Sequence, residues 1–320
     1  MSIMVVFQQM VIIFLLIGIG MILYRKKMLS EETSKQISGI IINVTNPALL
    51  ICSAFDDGPK VSLHELGIAF VSYVAVFVIL IVIGFLLPYL LGVPGKLHYA
   101  YQMLTTFGNV AFIGIPLASA VLGSESLIFV SIFNLLFNFL VYTFGMSMLQ
   151  RAAALQAAKD GSVPEKSSAS DRLKKLVNAG TISAALTILF YLGNFRIPVI
   201  VSSTLSYMGR ATTLLSMLVL GVSVAQMAPR DIFSNPRLYI FTFLRQIMVP
   251  IACILLMRGL LDNKLILNTM LLMLAVPAAN MPLMLAKQMG METESISQGI
   301  ILTTVLSLVT VPVACLFLIP

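Results

Sequence analysis

The sequence predicts an all-α polytopic membrane protein with ten transmembrane helices, and its composition and the length of its apolar segments both indicate this. Of its 320 residues, 59% are hydrophobic and 10% are charged. In soluble domains, roughly 45–50% of the residues are apolar and about a quarter are charged. The apolar segments are long enough for an α-helix to cross a bilayer. They lack the two-residue alternation of membrane barrels. A soluble globular protein is therefore excluded.

Charged or turn-forming stretches separate the apolar segments. The first segment lacks a basic start and a cleavage site, so we interpret it as a retained helix and not as a signal peptide. The ten predicted spans are 4–23, 36–55, 64–90, 100–122, 126–149, 177–193, 203–226, 238–258, 265–286 and 294–318.

The charged residues predict the orientation of these spans. The net charge is +7, and most Lys and Arg residues fall in the breaks that lie inside if the N-terminus is outside. The positive-inside rule then predicts a multi-pass protein of the cell membrane with both termini extracytoplasmic. We expect the positive charge to set topology, with membrane lipid as a partner and no nucleic acid.

One long basic connection, 150–176, divides the chain into a first unit of five spans, 1–149, and a second of five, 177–320. Because five is odd, the second unit must enter the membrane in the opposite sense. The result is a pair of inverted five-helix repeats, which is typical of secondary transporters. We expect the connection to be a cytoplasmic linker that enforces topology, the alternative being a segment that binds anionic lipid.

Spans four and nine, which are equivalent under this repeat, carry the residues that most disrupt helices. A proline inside a span frees a backbone carbonyl, and glycine lets the chain leave helical angles. Freed groups are tolerated at membrane depth only next to protein or a water-filled cavity, so paired breaks indicate a central binding site. The disrupting residues are Gly108, Gly114, Pro116, Pro277 and Pro282.

The breaks predict the sign of the ligand. We expect a new half-helix to begin at Pro116 and another at Pro282, each with unpaired N–H groups and a partial positive charge that favour an anion. The alternative is that the prolines only kink the helices and the asparagines join neighbouring helices. The candidate substrate-binding residues are Asn109, Asn280, Thr105, Thr106, Asn43, Asn46 and Arg210.

Ionisable residues are scarce inside the spans. No Asp or Glu lies in the central part of a span, which weakens coupling to a cation, although carbonyls freed at a broken helix can bind sodium without a carboxylate. Arg210 either faces an entering anion or extends to the outer interface, and Arg245 is expected to reach the inner headgroups.

The sequence does not predict an enzyme, a cofactor or a metal site. His64 and Glu65 are not followed by a histidine at zinc-binding spacing. The three cysteines are far apart in apolar segments and are interpreted as buried hydrophobes, not as a disulfide framework. No phosphate-binding glycine loop is present.

The sequence resembles the auxin efflux carrier family, which includes plant PIN-type carriers and bacterial malate or malonate permeases. The resemblance covers nearly the whole chain. It lies in 43–55 of span two, Gly108-Asn109 and Gly114-Ile115-Pro116-Leu117 of span four, Leu220-Gly221 of span seven, Pro277, Pro282 and Ala286-Lys287 of span nine, and Pro312 of span ten.

The resemblance implies ten helices in a scaffold domain and a transport domain, with helices four and nine crossing at their prolines. It also implies elevator-type alternating access, homodimers, carboxylate substrates, and a substrate-binding role for Asn109. The long cytoplasmic loop of the plant carriers is missing here. We therefore expect a carrier of small organic carboxylates. The alternatives are an anion-permeable channel and a sensor with a transporter-like fold.

Overall fold

The computed structural model describes residues 3–55, 61–160, 177–193, 195, 197–226, 235–289, 291 and 293–317. Within these ranges the regular structure is helical, and one isolated antiparallel bridge joins two chain segments. The helices, with the halves of two broken spans given separately, are α1 Ile3–Arg25, α2 Glu31–Ser53, α3 Leu63–Leu90, α4a His98–Thr106, α4b Val110–Leu122, α5 Ser124–Ala154, α6 Ala179–Gly193, α7 Val199–Ala225, α8 Pro236–Arg258, α9a Lys264–Ala275, α9b Met281–Gln288 and α10 Glu294–Cys315.

Six helices of the described chain, α2, α3, α5, α7, α8 and α10, are long and apolar enough to cross a membrane, and several shorter apolar helices accompany them. Each predicted span overlaps one helix or one pair of half-helices. Large apolar side chains such as Val71, Leu90 and Ile200 cover the outer surface, as expected where lipid replaces water. The protein is therefore a multi-pass, all-helical membrane protein.

Helix α2 begins earlier than predicted, at Glu31, because the polar residues before the apolar segment form a capped first turn. The hydroxyl of Ser30 accepts a hydrogen bond from the backbone N–H of Thr33 at 3.1 Å. Glu31 and Glu32 lie in the first turn, where the helix dipole favours negative charge.

The first part of the predicted linker 150–176 is helical. The helix that continues α5 extends to Asp160, and 161–176 lie outside the described residues.

Several prolines of the spans follow a widened, π-helical turn. A proline has no N–H to donate, and its ring crowds the preceding turn of an α-helix. A π-helical turn has a longer hydrogen-bonding period, and we infer that it relieves this crowding so that the helix continues through the proline. The turns Ile41–Thr45, Val110–Gly114 and Leu244–Met248 end two residues before Pro47, Pro116 and Pro250.

Helix α7 packs so closely on α1 that only glycine fits at the contact. A Cβ added to Gly20 of α1 would lie 2.5 Å from the backbone oxygen of Leu218. One added to Gly221 of α7 would lie 2.2 Å from the oxygen of Ile17. Small residues at helix contacts let backbones approach in a membrane, where no hydrophobic effect drives helices together.

The α1–α7 contact can be tested with two glycines of one helix. Gly20→Ala should lower the midpoint of thermal unfolding, because its Cβ overlaps the backbone of α7. Gly18→Ala should leave the midpoint unchanged or raise it, because nothing lies within 4 Å of that position and alanine is the better helix former. The chain has no tryptophan, so a thiol-reactive dye on the buried Cys253 and Cys315 reports unfolding. Equal effects of the two variants would contradict this packing.

Candidate functional site

Both predicted helix breaks are present, and they lie against each other. The chain leaves helical geometry at 107–109, between α4a and α4b, and at 276–280, between α9a and α9b. The two segments run antiparallel, with Gly108 paired to Ala278 in the isolated bridge. Spans four and nine therefore cross at their breaks.

Two backbone hydrogen bonds join the crossing segments. The N–H of Asn109 donates to the carbonyl oxygen of Pro277 at 2.7 Å, and the N–H of Ala279 donates to the carbonyl oxygen of Phe107 at 2.9 Å. Each break thus supplies one donor and one acceptor to the other. This reciprocal pairing satisfies four groups that would otherwise be costly to bury in lipid. The crossing segments, with these two bonds, are called the junction below.

One half-helix begins beside its predicted proline, and the other does not. Helix α4b begins at Val110, and Pro116 lies inside it, because the side chain of Asn109 caps the helix by accepting a hydrogen bond from the N–H of Phe112 at 3.2 Å. The π-helical turn then carries the chain through Pro116 without a second break. Helix α9b begins at Met281, one residue before Pro282.

The carbonyl ends of both first half-helices meet the guanidinium of Arg245. Its Nε donates to the oxygen of Leu104 at 3.1 Å, and its Nη1 donates to the oxygens of Leu274, at 3.2 Å, and Val276. The side chain is 3% exposed, so the prediction that it reaches the inner headgroups is wrong. The physical reason is that the last carbonyls of a helix have no intrahelical partner and carry a partial negative charge.

Gln246 and Thr303 complete this side of the junction, and the sequence analysis did not select either. The Nε2 of Gln246 donates to the backbone oxygen of Thr303 at 3.1 Å, and the hydroxyl of Thr303 accepts from the N–H of Ala278 at 3.2 Å. Adjacent Arg and Gln in an otherwise apolar span were the available signal, because burying both requires partners.

A cavity of about 300 Å³ lies on the opposite side of the junction, where α4b and α9b begin. Val110, Ala111 and Met281, from the first turns of these half-helices, line it. Apolar side chains such as Phe112 and Phe137 form much of the rest. Among the residues that the structure describes, no charged side chain lines this cavity, but seven asparagines do: Asn43, Asn46, Asn109, Asn134, Asn138, Asn178 and Asn280.

Two of these asparagines keep a buried polar atom without a partner. Asn109 uses Oδ1 to cap α4b, and its Nδ2 makes no hydrogen bond. Asn46 donates through Nδ2 to the oxygen of Ala111 at 2.9 Å, and its Oδ1 makes none. The side chains are 3% and 5% exposed. Both residues line the cavity, and the unpaired donor and the unpaired acceptor are themselves buried at its wall.

The other predicted residues occupy different places. Asn43 lines the cavity and donates to the oxygen of Gly39 at 2.8 Å. Thr105 and Thr106 are buried but do not line it, because they end α4a on the carbonyl side of the break. The hydroxyl of Thr105 donates to the oxygen of Tyr101 at 2.7 Å.

Arg210 lies away from the junction. It is exposed and lines a separate cavity of about 340 Å³ between α2 and α7. That cavity is also lined by Ser202, Ser206 and Tyr207. The structure does not bring Arg210 together with the asparagines, because none of them lines the cavity that Arg210 lines.

Asn134 and Asn138 form a wall of the cavity that the sequence analysis missed. They are four residues apart on α5, and Asn138 Nδ2 donates to the Oδ1 of Asn134 at 3.2 Å. Asn134 Nδ2 lies 3.4 Å from the oxygen of Gly180 at the start of α6. Two asparagines at this spacing share a helix face, and that spacing was a visible signal.

Gly108 should be the least replaceable glycine of span four. A Cβ there would lie 3.0 Å from Cγ2 of Val276 and 3.1 Å from Nη2 of Arg245. Gly108→Ala should therefore lower the thermal midpoint more than Gly114→Ala, whose Cβ would meet the flexible side chain of Met273. The thiol-dye assay compares the two, and a smaller loss for Gly108→Ala would contradict the close approach of the guanidinium.

Comparison with known proteins identifies the family of this chain. A sequence profile described as membrane transport protein matches residues 5–315. No curated protein matches the chain. Because the profile covers nearly the whole sequence, the chain belongs to the membrane transport protein family, that of the auxin efflux carriers, and is a transport protein and not an enzyme.

Proposed function

We propose that the protein is a carrier of small organic carboxylate anions, which bind in the cavity beside the junction. The observation that carries this proposal is the unpaired, buried Nδ2 of Asn109, a residue that lines a cavity formed in part by the first turns of two half-helices. A buried donor without a partner is costly, and a carboxylate oxygen satisfies it. Asn280 immediately precedes α9b and lines the same cavity.

The field around the cavity favours an anion. The beginnings of α4b and α9b carry the partial positive charge of a helix N-terminus. None of the described side chains that line the cavity is acidic, so no carboxylate among them repels a negative ligand. The amides contribute donors without a permanent buried charge.

The same lining favours a substrate with one carboxylate over a substrate with two. A second anionic group would be buried without a cationic partner, which is strongly unfavourable in a weakly polar site. The volume, about 300 Å³, is at the lower end for small-molecule sites. The apolar side chains suit the hydrocarbon part of such a molecule, and the free Oδ1 of Asn46 suits a hydroxyl or another donor.

The transport mechanism that we propose is elevator-type alternating access. In this scheme 1–149 and 177–320 are inverted repeats joined by the cytoplasmic linker 150–176. The carrier is a homodimer in the lipid of the cell membrane, with both termini extracytoplasmic. The reciprocal bonds of the junction support the repeat, since each break gives one donor and one acceptor. The close α1–α7 contact supports a rigid unit for a mobile one to move against.

Asn109→Asp tests the site without removing the helix cap. The aspartate keeps an oxygen that can accept from the N–H of Phe112, but it replaces the free donor by an acceptor with negative charge. Hydrogen bonds to charged groups contribute about 1.5–3 kcal/mol, so carboxylate affinity should fall roughly tenfold to a hundredfold. Uptake of a labelled monocarboxylate, such as indole acetate, into proteoliposomes measures the effect.

Asn109→Ala is the companion variant, because it loses both the cap and the donor. It should also bind carboxylates more weakly than the wild type, but less weakly than Asn109→Asp because it adds no negative charge, and it should unfold at a lower temperature. Unchanged affinity in both variants would disprove the assigned site. Saturable uptake distinguishes a carrier from a channel, which would give non-saturating anion currents.

The preference for a single carboxylate can be measured by ligand-dependent thermal stability. Pairs of acids with equal carbon number and one or two carboxylates should differ, with the monoacid raising the unfolding midpoint more at equal concentration. A ligand at a hundred times its Kd stabilises by about 2.7 kcal/mol. A larger shift with malate or malonate than with the matched monoacids would overturn the preference.

A further inference from the structure

We propose that Arg245 is a built-in cation at the junction and that it takes the place of an exchangeable metal cation there. Carbonyl groups freed at a broken membrane helix can bind sodium. Here a guanidinium occupies such carbonyls from both spans. The inference concerns the junction and not the substrate, so it is independent of which anion is carried.

Backbone oxygens surround the guanidinium of Arg245 as they would surround a bound cation. It donates to the oxygens of Leu104, Leu274 and Val276, which come from the carbonyl ends of α4a and α9a. An arginine side chain remains charged and presents its donors in a fixed plane. One side chain from α8 thus neutralises the partial negative charge of two helix ends at once.

No other group in the described structure balances this charge. The carboxylates of the described residues form no ion pair with Arg245, and the side chain is 3% exposed. A buried charge is stable only with partners. The backbone carbonyls are therefore its counter-charge, and the guanidinium fills the space that a cation would need.

Arg245 is a positioning residue, since it touches the junction and does not line the cavity on the opposite side. It lies in the π-helical turn Leu244–Met248, beside Gln246, which is 0% exposed and binds the same side of the junction. Gln246 donates without a charge to the backbone oxygen of Thr303 at 3.1 Å, and its Nε2 lies 3.5 Å from that of Ala275. Substitution of each residue in turn therefore distinguishes the effect of a lost charge from the effect of lost hydrogen bonds.

The test compares cation dependence of stability in the full-length purified protein. The wild-type midpoint in the thiol-dye assay should be the same in equal concentrations of sodium chloride and choline chloride. Arg245→Ala should unfold at a lower temperature than the wild type. Sodium or sub-denaturing guanidinium should raise the unfolding midpoint of this variant by several degrees, whereas choline should not. Gln246→Ala should lose stability without any such cation dependence.

The outcomes decide the proposal in either direction. Sodium-dependent stability of the wild type would overturn it, as would an Arg245→Ala variant that responds equally to sodium, guanidinium and choline. The same cation response in Gln246→Ala would also overturn it, because general loosening would then be the cause. If Arg245→Ala does not fold, Arg245→Gln should acquire the cation response and Arg245→Lys should not, and the reverse result rejects the role of charge.

Discussion

A helix that ends inside a membrane leaves backbone groups with no water to bind, and the organisation of this protein follows from how two such helices satisfy each other. The reciprocal bonds between Phe107, Asn109, Pro277 and Ala279 close part of each break. They also fix the relative position of four half-helix ends. The two carbonyl ends point to one side of the junction, and the beginnings of α4b and α9b lie on the other. The remaining features of the site follow from this separation of partial charges.

The two sides are completed in different ways. On the carbonyl side, Arg245, Gln246 and Thr303 fill the space and bind backbone groups of the crossing segments, while Oε1 of Gln246 keeps no partner. On the amide side, the chain leaves a cavity lined by Asn46 and Asn109, each of which keeps one buried polar atom without a partner. The guanidinium neutralises the partial negative charge at the ends of α4a and α9a. The partial positive charge at the beginnings of α4b and α9b therefore faces the cavity without a cationic side chain beside it. A site built this way attracts a negative ligand mainly through dipoles and amides.

The sequence predicted the helical spans and the existence of both breaks, since apolar length and glycine-proline content are local properties. It did not predict the contacts that determine where each half-helix begins and what each helix end faces. Pro116 was interpreted as a helix start, whereas the cap of Asn109 and a π-helical turn start the helix six residues earlier. Thr105 and Thr106 were assigned to the site because sequence distance does not reveal which end of a break faces the cavity. Arg245 was assigned to the headgroups because its partners are distant in the chain.

The junction also bears on how substrate preference could be redesigned. The backbone N–H groups of Asn109 and Ala279 are already used within the fold, so discrimination between ligands is left to side chains such as Asn134 and Asn138 on the neighbouring α5. Those side chains can be exchanged without altering the main-chain bonds that hold the crossing together. The architecture thus separates the parts that give rigidity from the parts that give selectivity, which makes the cavity wall a suitable target for engineering sensors or transporters for other acids.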